Sequence, residues 1–331
     1  MYTILLITMT TYYSTNNLFA YTIANSTSYV LDADDYSILQ DVFNRWDGLI
    51  IPDSRFEGNY TINVDISIES LDPGILGGAS VSVVYYIDSH TFGNTFPANA
   101  DIALNYLYIQ SMKNSIRDSG KSEYYYVMLH EVGHVLGIGP FWGLTGSPIA
   151  SYDDNGTTKY YYYGENALRE YRSYFPPIGK RFVGVPVEDD GSTGTANVHP
   201  EEGTESYISS DNRIIMGNYH PGLDSELMTG WLEASPTSTP LSRITLGFLE
   251  DIGYGVRYNL ADYYRTMSEW LDLSNNANCF KSMYIDGFLD LSGGSLQTRG
   301  PSDHLLIGGD VSLNGQTYLG GKLLVGTDGD L

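Results

Sequence analysis

Two histidines four residues apart, His130 and His134, with Glu131 directly after the first, are the residues whose types and spacing could do chemistry. On a helix, positions i and i+4 share one face, so both imidazoles can grip a single metal ion. Glu131 can then reach a metal-bound water without itself binding the metal. This H-E-x-x-H arrangement is that of a zinc hydrolase, with the carboxylate as general base and the metal lowering the pKa of the water. The bland alternative is a pair of histidines satisfied in a polar core. The flanks favour the metal: Tyr124 to Leu129, Val132, Val135, Leu136 and Ile138 predict a buried helix over about 122–137. Gly137 marks the turn at which the chain leaves the metal.

Two histidines do not close a zinc site; a third protein ligand is needed, with water at the fourth position. Six residues beyond His134, where many H-E-x-x-H proteins place the third ligand, stands Pro140, which cannot ligate, so either the third ligand is remote or the site is broken. The candidates are His199, His220, His90 and His304, with Glu165 and Glu201 as acidic alternatives. Spacing alone leaves the choice open.

Several downstream phrases bear on it. They are Tyr163-Gly164-Glu165-Asn166-Ala167, Val183 through Gly191, Gly194-Thr195-Ala196-Asn197-Val198-His199, and Glu226-Leu227-Met228-Thr229-Gly230-Trp231. Leu241-Ser242-Arg243-Ile244-Thr245 and Leu249 through Tyr254 follow. In this order behind the H-E-x-x-H helix, they resemble the leishmanolysin-like branch of the metzincin metalloproteases across about 120–257. Phe43-Asn44-Arg45-Trp46 with Ile50-Ile51 extends the likeness toward residue 35. The resemblance implies a metzincin-like zincin domain with a long insertion between His134 and the third ligand. It also implies that His199 closes the site and that Met228 forms the Met-turn, an apolar floor beneath the metal. The chain departs from the pattern at Pro200, which follows His199, and in the long stretch to Met228 that contains His220-Pro221. His220 therefore stays a rival third ligand. Leishmanolysins are rich in disulfides, whereas this chain has one cysteine, Cys279, so rigidity must come from packing or calcium.

Composition narrows the partners. Seventeen basic against 40 acidic residues give a net charge of −23, which repels phosphate backbones and anionic lipid and so argues against nucleic acid. Such acidity suits solubility in a salty or extracellular medium. One cysteine allows no internal disulfide, and no run approaches the length of a membrane span. The apolar Ile4-Leu5-Leu6-Ile7 lacks a basic neighbour in the first twenty residues, a weak secretory signal at best. Tyrosine is abundant, with runs at 124–126 and 160–163 expected to line strands or pack edges.

The elements that must position the site read as an α+β order. Residues 1–31 are an N-terminal arm or strand, and 32–258 form the catalytic domain. Tyr36, Leu39, Val42, Phe43 and Trp46 fall at helical spacing between Asp35 and Leu49. Ile62, Val64, Ile66 and Ile68 alternate as in a strand, as do parts of 80–87 and Ile102, Leu104, Tyr106 and Tyr108. Short helices are expected near 165–174 and 241–251. Asp153-Asp154-Asn155-Gly156 is a turn that lacks most of the oxygen ligands of a calcium loop. A linker helix near Leu260–Leu273, within 259–284, is expected next.

The tail, 285–331, is a different text. Ile285 through Gly293 recurs as Ile307 through Gly315, and a looser copy begins at Leu319. Short alternating strands punctuated by glycine predict a β-solenoid or an intertwined homotrimeric fibre. Asp310-Val311-Ser312-Leu313-Asn314-Gly315 resembles repeats in fibre proteins of tailed phages and giant viruses. The expectation is a zinc endopeptidase on a β-rich stalk, extracellular or at a virion surface, with a strand at Ile102–Tyr108 aligning a peptide substrate by β-addition. The rival is an inactive structural or adhesive fibre protein that retains the zincin fold.

Overall fold

A computed structural model describes residues 10–51, 55, 60–154, 156–175, 178–191, 194–203, 214–216, 218–233, 235–264 and strand segments between 278 and 325. The chain divides into two compact units. The first holds 1–147 with 232–239 and 252–261; the second holds 148–231 with 240–251 and 262–331.

The first unit runs β1 (Tyr12–Tyr13), β2 (Phe19–Asn25), α1 (Ala33–Leu49), β3 (Ile50–Ile51), β4 (Ile62–Glu69), β5 (Gly77–Tyr86), β6 (Thr95–Asn105), α2 (Tyr106–Asn114) and α3 (Glu123–Val135). Its five-stranded sheet has the order β1-β2-β4-β6-β5. β2, β4 and β6 are mutually parallel, while β1 and β5 pair antiparallel to their neighbours. The alternation in β4 is realised: Ile62, Val64, Ile66 and Ile68 are buried, and Asn63 and Asp65 are exposed. On α1, Asp32 and Asp35 form a reciprocal capping box that satisfies the first backbone N–H groups. Leu39, Val42, Phe43 and Trp46 give that helix its buried face, and Trp46 Nε1 donates to the Leu129 carbonyl of α3 at 2.9 Å.

The N-terminal segment, expected as an arm or strand, supplies two strands, with Phe19 and Tyr21 buried in the sheet. One expectation needs correction here. The strand expected at Ile102–Tyr108 ends at Asn105, and Tyr106 and Tyr108 lie on α2. Asn105 explains the break: its side chain accepts the Leu107 N–H and donates to the Ile75 carbonyl, which stops the strand and caps the helix. β6 is also paired on both sides, and the edge next to it belongs to β5, β1 being the other edge strand among the described ones.

In the second unit, β7 (Ile149–Asp154) and β8 (Thr157–Tyr162) form a hairpin through Gly156 at φ 88°, the turn expected near Asp153. There follow α4 (Glu165–Ser173), β9 (Val185–Pro186) against β8, the small pair β10 (Ile214–Ile215) and β11 (Asn218–Tyr219), and α5 (Arg243–Ile252). The two helices lock together. Asp251 accepts the Asn166 and Ala167 N–H groups at the start of α4, and a Cβ at Gly247 would lie 2.6 Å from Ala167 Cα. β12 (Gly255–Val256) belongs to the first unit, antiparallel to β3.

The tail contains β13 (Asn278–Phe280), β14 (Met283–Ile285), β15 (Leu289–Asp290), β16 (Ser295–Thr298), β17 (His304–Ile307), β18 (Val311–Ser312), β19 (Gln316–Tyr318) and β20 (Lys322–Val325). Every third strand pairs in parallel: β13-β16-β19, β14-β17-β20 and β15-β18. This is the pattern of a parallel β-repeat with three strands in each turn. The first two sequence repeats stack in register, Ile285 on Ile307 and Leu289 on Val311, but the looser copy beginning at Leu319 does not, because Ile307 pairs with Val325. The strands begin at Asn278, inside the span expected as linker. Tyr258–Leu260 is a short 3-10 turn, and 265–273 of the expected helix lies outside the described residues. Among the described residues no helix is long and apolar enough to cross a membrane.

Candidate metal centre

The geometry of the centre starts with how α3 begins and ends. Ser122 Oγ accepts the Tyr125 N–H at the N-terminus. Tyr124, Tyr125, Tyr126, Val127, Met128, Leu129, Val132 and Val135 are all buried, so the helix is embedded on every side. The tyrosine run at 124–126 thus belongs to a helix, whereas Tyr160–Tyr162 do lie on a strand. At the C-terminus, the Ile138 N–H reaches the Gly133 carbonyl and the Gly137 N–H reaches that of His134, with Gly137 at φ 106°. That is a Schellman turn, and it requires glycine. A Cβ at Gly137 would also stand 2.5 Å from the Phe141 ring.

The turn orients His134. It presents the Ile138 carbonyl to His134, whose Nδ1 donates to it at 2.9 Å, leaving Nε2 as the acceptor. His130 Nε2 lies 2.9 Å from His134 Nε2, with the rings nearly perpendicular at 83°. Two nitrogens on one tetrahedral zinc stand roughly 3.3 Å apart for Zn–N bonds near 2.0–2.1 Å, so the pair is close to ligand spacing.

Glu131 is buried, and its Oε2 has no hydrogen-bond partner among the described residues. Burial pushes its carboxyl up to about 8. A cation beside it would pull that value back down. A Cβ at Gly77, the first residue of β5, would lie 3.4 Å from Glu131 Oε1 and 3.2 Å from the Ala103 carbonyl. The open edge strand therefore starts at the glutamate, a relationship the sequence analysis missed. The Gly77-Gly78 pair was its only signal.

His199 is held by a short ladder. Glu188 N–H donates to the His199 carbonyl, Glu201 N–H to that of Pro186, and Val187 and Pro200 form a bridge. A proline is tolerated at such a bridge because it leaves no N–H unpaired. His199 Nδ1 donates to the Thr195 carbonyl at 2.8 Å, fixing the same tautomer as in His134. The ring nitrogens of His130, His134 and His199 come within 4.8 Å of one another, a group that could hold a metal ion. The donor set fits: three imidazoles, two with Nδ1 committed to carbonyls, and a buried carboxylate oxygen beside them without a partner.

The rivals go elsewhere. His220 is fully buried, accepts the Val183 N–H through Nε2 at 3.0 Å and packs on Phe182, so it is a core histidine. His90 is exposed beside the Tyr86 ring, and Glu165 is exposed in the first turn of α4. His304 lies on β17, where only the backbone is described. Glu201 gathers with Glu188 and Asp189, a second group that could hold a cation, in which Asp189 pairs with Lys159 at 3.0 Å. Asp154 is paired with the same lysine at 3.1 Å, and among the described residues neither it nor Asp153 joins a group that could hold a metal ion.

Met228 is fully buried, and its N–H donates to Glu226 Oε2 at 2.7 Å. Burial raises the Glu226 carboxyl, and hydrogen bonds from Ser242, Thr245 and Met228 oppose the rise. No protein-family model matches this chain, and no curated protein matches it either.

Proposed function

We propose that this chain is a zinc-dependent endopeptidase of the leishmanolysin-like kind. The observation that carries the reading is the group of His130, His134 and His199, with the partnerless, buried carboxylate oxygen of Glu131 next to two of them along α3. Zinc bound there would lower the pKa of a water and polarise a peptide carbonyl. Glu131 takes the proton of the attacking water and passes it to the leaving amine.

The open edge of β5 supports a peptide as substrate. Among the described strands β5 pairs only with β6, and it begins at Gly77 beside Glu131. An extended peptide added to that edge would run its backbone past the glutamate. The parallel coils of the tail favour display on a fibre or surface, so we assign the protein to an extracellular or virion-surface setting. The same coils favour a non-catalytic adhesive protein as the second reading.

Cleavage of a peptide library by the purified chain separates the two. Zinc-dependent turnover that is lost on chelation and in Glu131→Gln is the expected result. Stoichiometric zinc without turnover would select the adhesive reading.

A further inference from the structure

Glu226 is a buried carboxylate that the proposed reaction does not use. It joins two segments of the second unit. Oε2 accepts the Met228 N–H at 2.7 Å; Oε1 accepts the Ser242 N–H at 3.0 Å and the Thr245 hydroxyl at 2.6 Å. Ser242 and Thr245 stand at the N-terminus of α5, where unpaired N–H groups and the helix dipole favour a negative charge. The backbone of the same turn is closed on itself, Thr229 N–H and Oγ1 both donating to the Glu226 carbonyl. Its next residue is Gly230, where a Cβ would stand 2.6 Å from Thr195 Cγ2 and 3.7 Å from His199 Cγ. The turn anchored by Glu226 is therefore packed against the imidazole of His199 and against Thr195, whose carbonyl holds His199 Nδ1.

We infer that Glu226 is a positioning residue for the third metal ligand: it fastens the Met228–Gly230 turn to α5, and the turn backs the His199 ring. The inference rests on the zinc reading of the site. An outer group of this kind, lost from a metal centre, typically costs about 10–100-fold in metal affinity. Glutamine retains one oxygen acceptor but sets an N–H₂ against one of the three donors, so it should recover part of the loss.

The test titrates the full chain with zinc against a chromophoric chelator and records the visible spectrum of the cobalt(II) form. His199→Ala, Glu226→Ala and Glu226→Gln are compared with the natural sequence. The expected result is the largest loss of zinc affinity in His199→Ala, a loss of about 10–100-fold in Glu226→Ala with shifted cobalt bands, and partial rescue by Glu226→Gln. A loss of fold stability alone would leave the cobalt bands of the folded fraction unmoved. Unaltered zinc affinity and cobalt bands in Glu226→Ala, with zinc lost in His199→Ala, would overturn this inference and leave the zinc site standing. Unaltered affinity in His199→Ala would overturn the zinc site itself, and the inference with it. Should Glu226→Ala not fold, Thr245→Val carries the test: weaker zinc binding with shifted cobalt bands is expected, and values equal to the natural chain overturn the inference.

Discussion

His134 donates through Nδ1 to the carbonyl of Ile138 at 2.9 Å, a bond that exists because Gly137 turns the chain back at the end of the helix. A side chain at Gly137 would meet both a positive φ and the Phe141 ring. Gly137→Ala should therefore cost about 1–3 kcal/mol of stability and weaken zinc binding in the same variant. Chemical denaturation with and without zinc measures both, and undiminished stability would show that the turn is not needed in this form.

Glu131 follows His130 on α3 and lies outside the histidine group that could hold a metal ion. Glu131→Gln should keep zinc affinity within a few-fold while lowering peptide cleavage by about 10²–10⁴-fold, the usual contribution of general acid–base catalysis. Retained proteolysis in that variant would overturn the base assignment.

Gly77 leaves room for the glutamate. In Gly77→Ala the added methyl would lie 3.2 Å from the Ala103 carbonyl, which forces the start of β5 to give by a few tenths of an ångström, and 3.4 Å from Glu131 Oε1, in contact with it. A shift of the reacting group by a fraction of an ångström should lower kcat by about tenfold, since about 1 Å can cost 100-fold. Zinc titration should be unchanged. Full activity in this variant would mean that β5 does not start at the reacting centre.

Asp32 offers a test of pH dependence outside the site. The hydrogen bond from Lys113, with the backbone bond from Asp35, lowers its carboxyl from 3.8 to about 2. A depressed folded-state value contributes stability that is present above pH 3.8 and lost as pH falls toward 2. Asn keeps the N-cap, so Asp32→Asn removes the charge alone. The Tm difference between the two chains should be largest near pH 5, small because the pair is half exposed, and should close toward pH 2. A difference constant over that range would contradict the pairing.

The β-repeats of the tail are the segment expected to join three copies, so removing it should lower the number of subunits from three to one. Light scattering on the full chain and on one ending at 264 reads this directly. Equal subunit numbers in both would remove the tail's role in assembly.

Legibility followed the range of the interactions. The buried helix α3, the amphipathic α1 and the alternating β4 were readable because periodicity is local. Tyr106 and Tyr108 were misread as strand because alternation over four positions fits either element, and what decides is the cap formed by Asn105. The choice of His199 over His220 rested on a family resemblance. The structural reason, His220 spent on the Val183 N–H, is a contact between distant residues that no spacing reveals. The approach of Gly77 to Glu131 was unreadable for the same cause.

The most direct measurement is X-ray absorption at the zinc edge on the metal-loaded full chain, with the metal counted per chain. One zinc per chain with three imidazole nitrogens at about 2.0–2.1 Å and a light oxygen ligand is the expected result, reduced to two imidazoles in His199→Ala. No bound zinc, or three imidazoles still present without His199, would contradict the account.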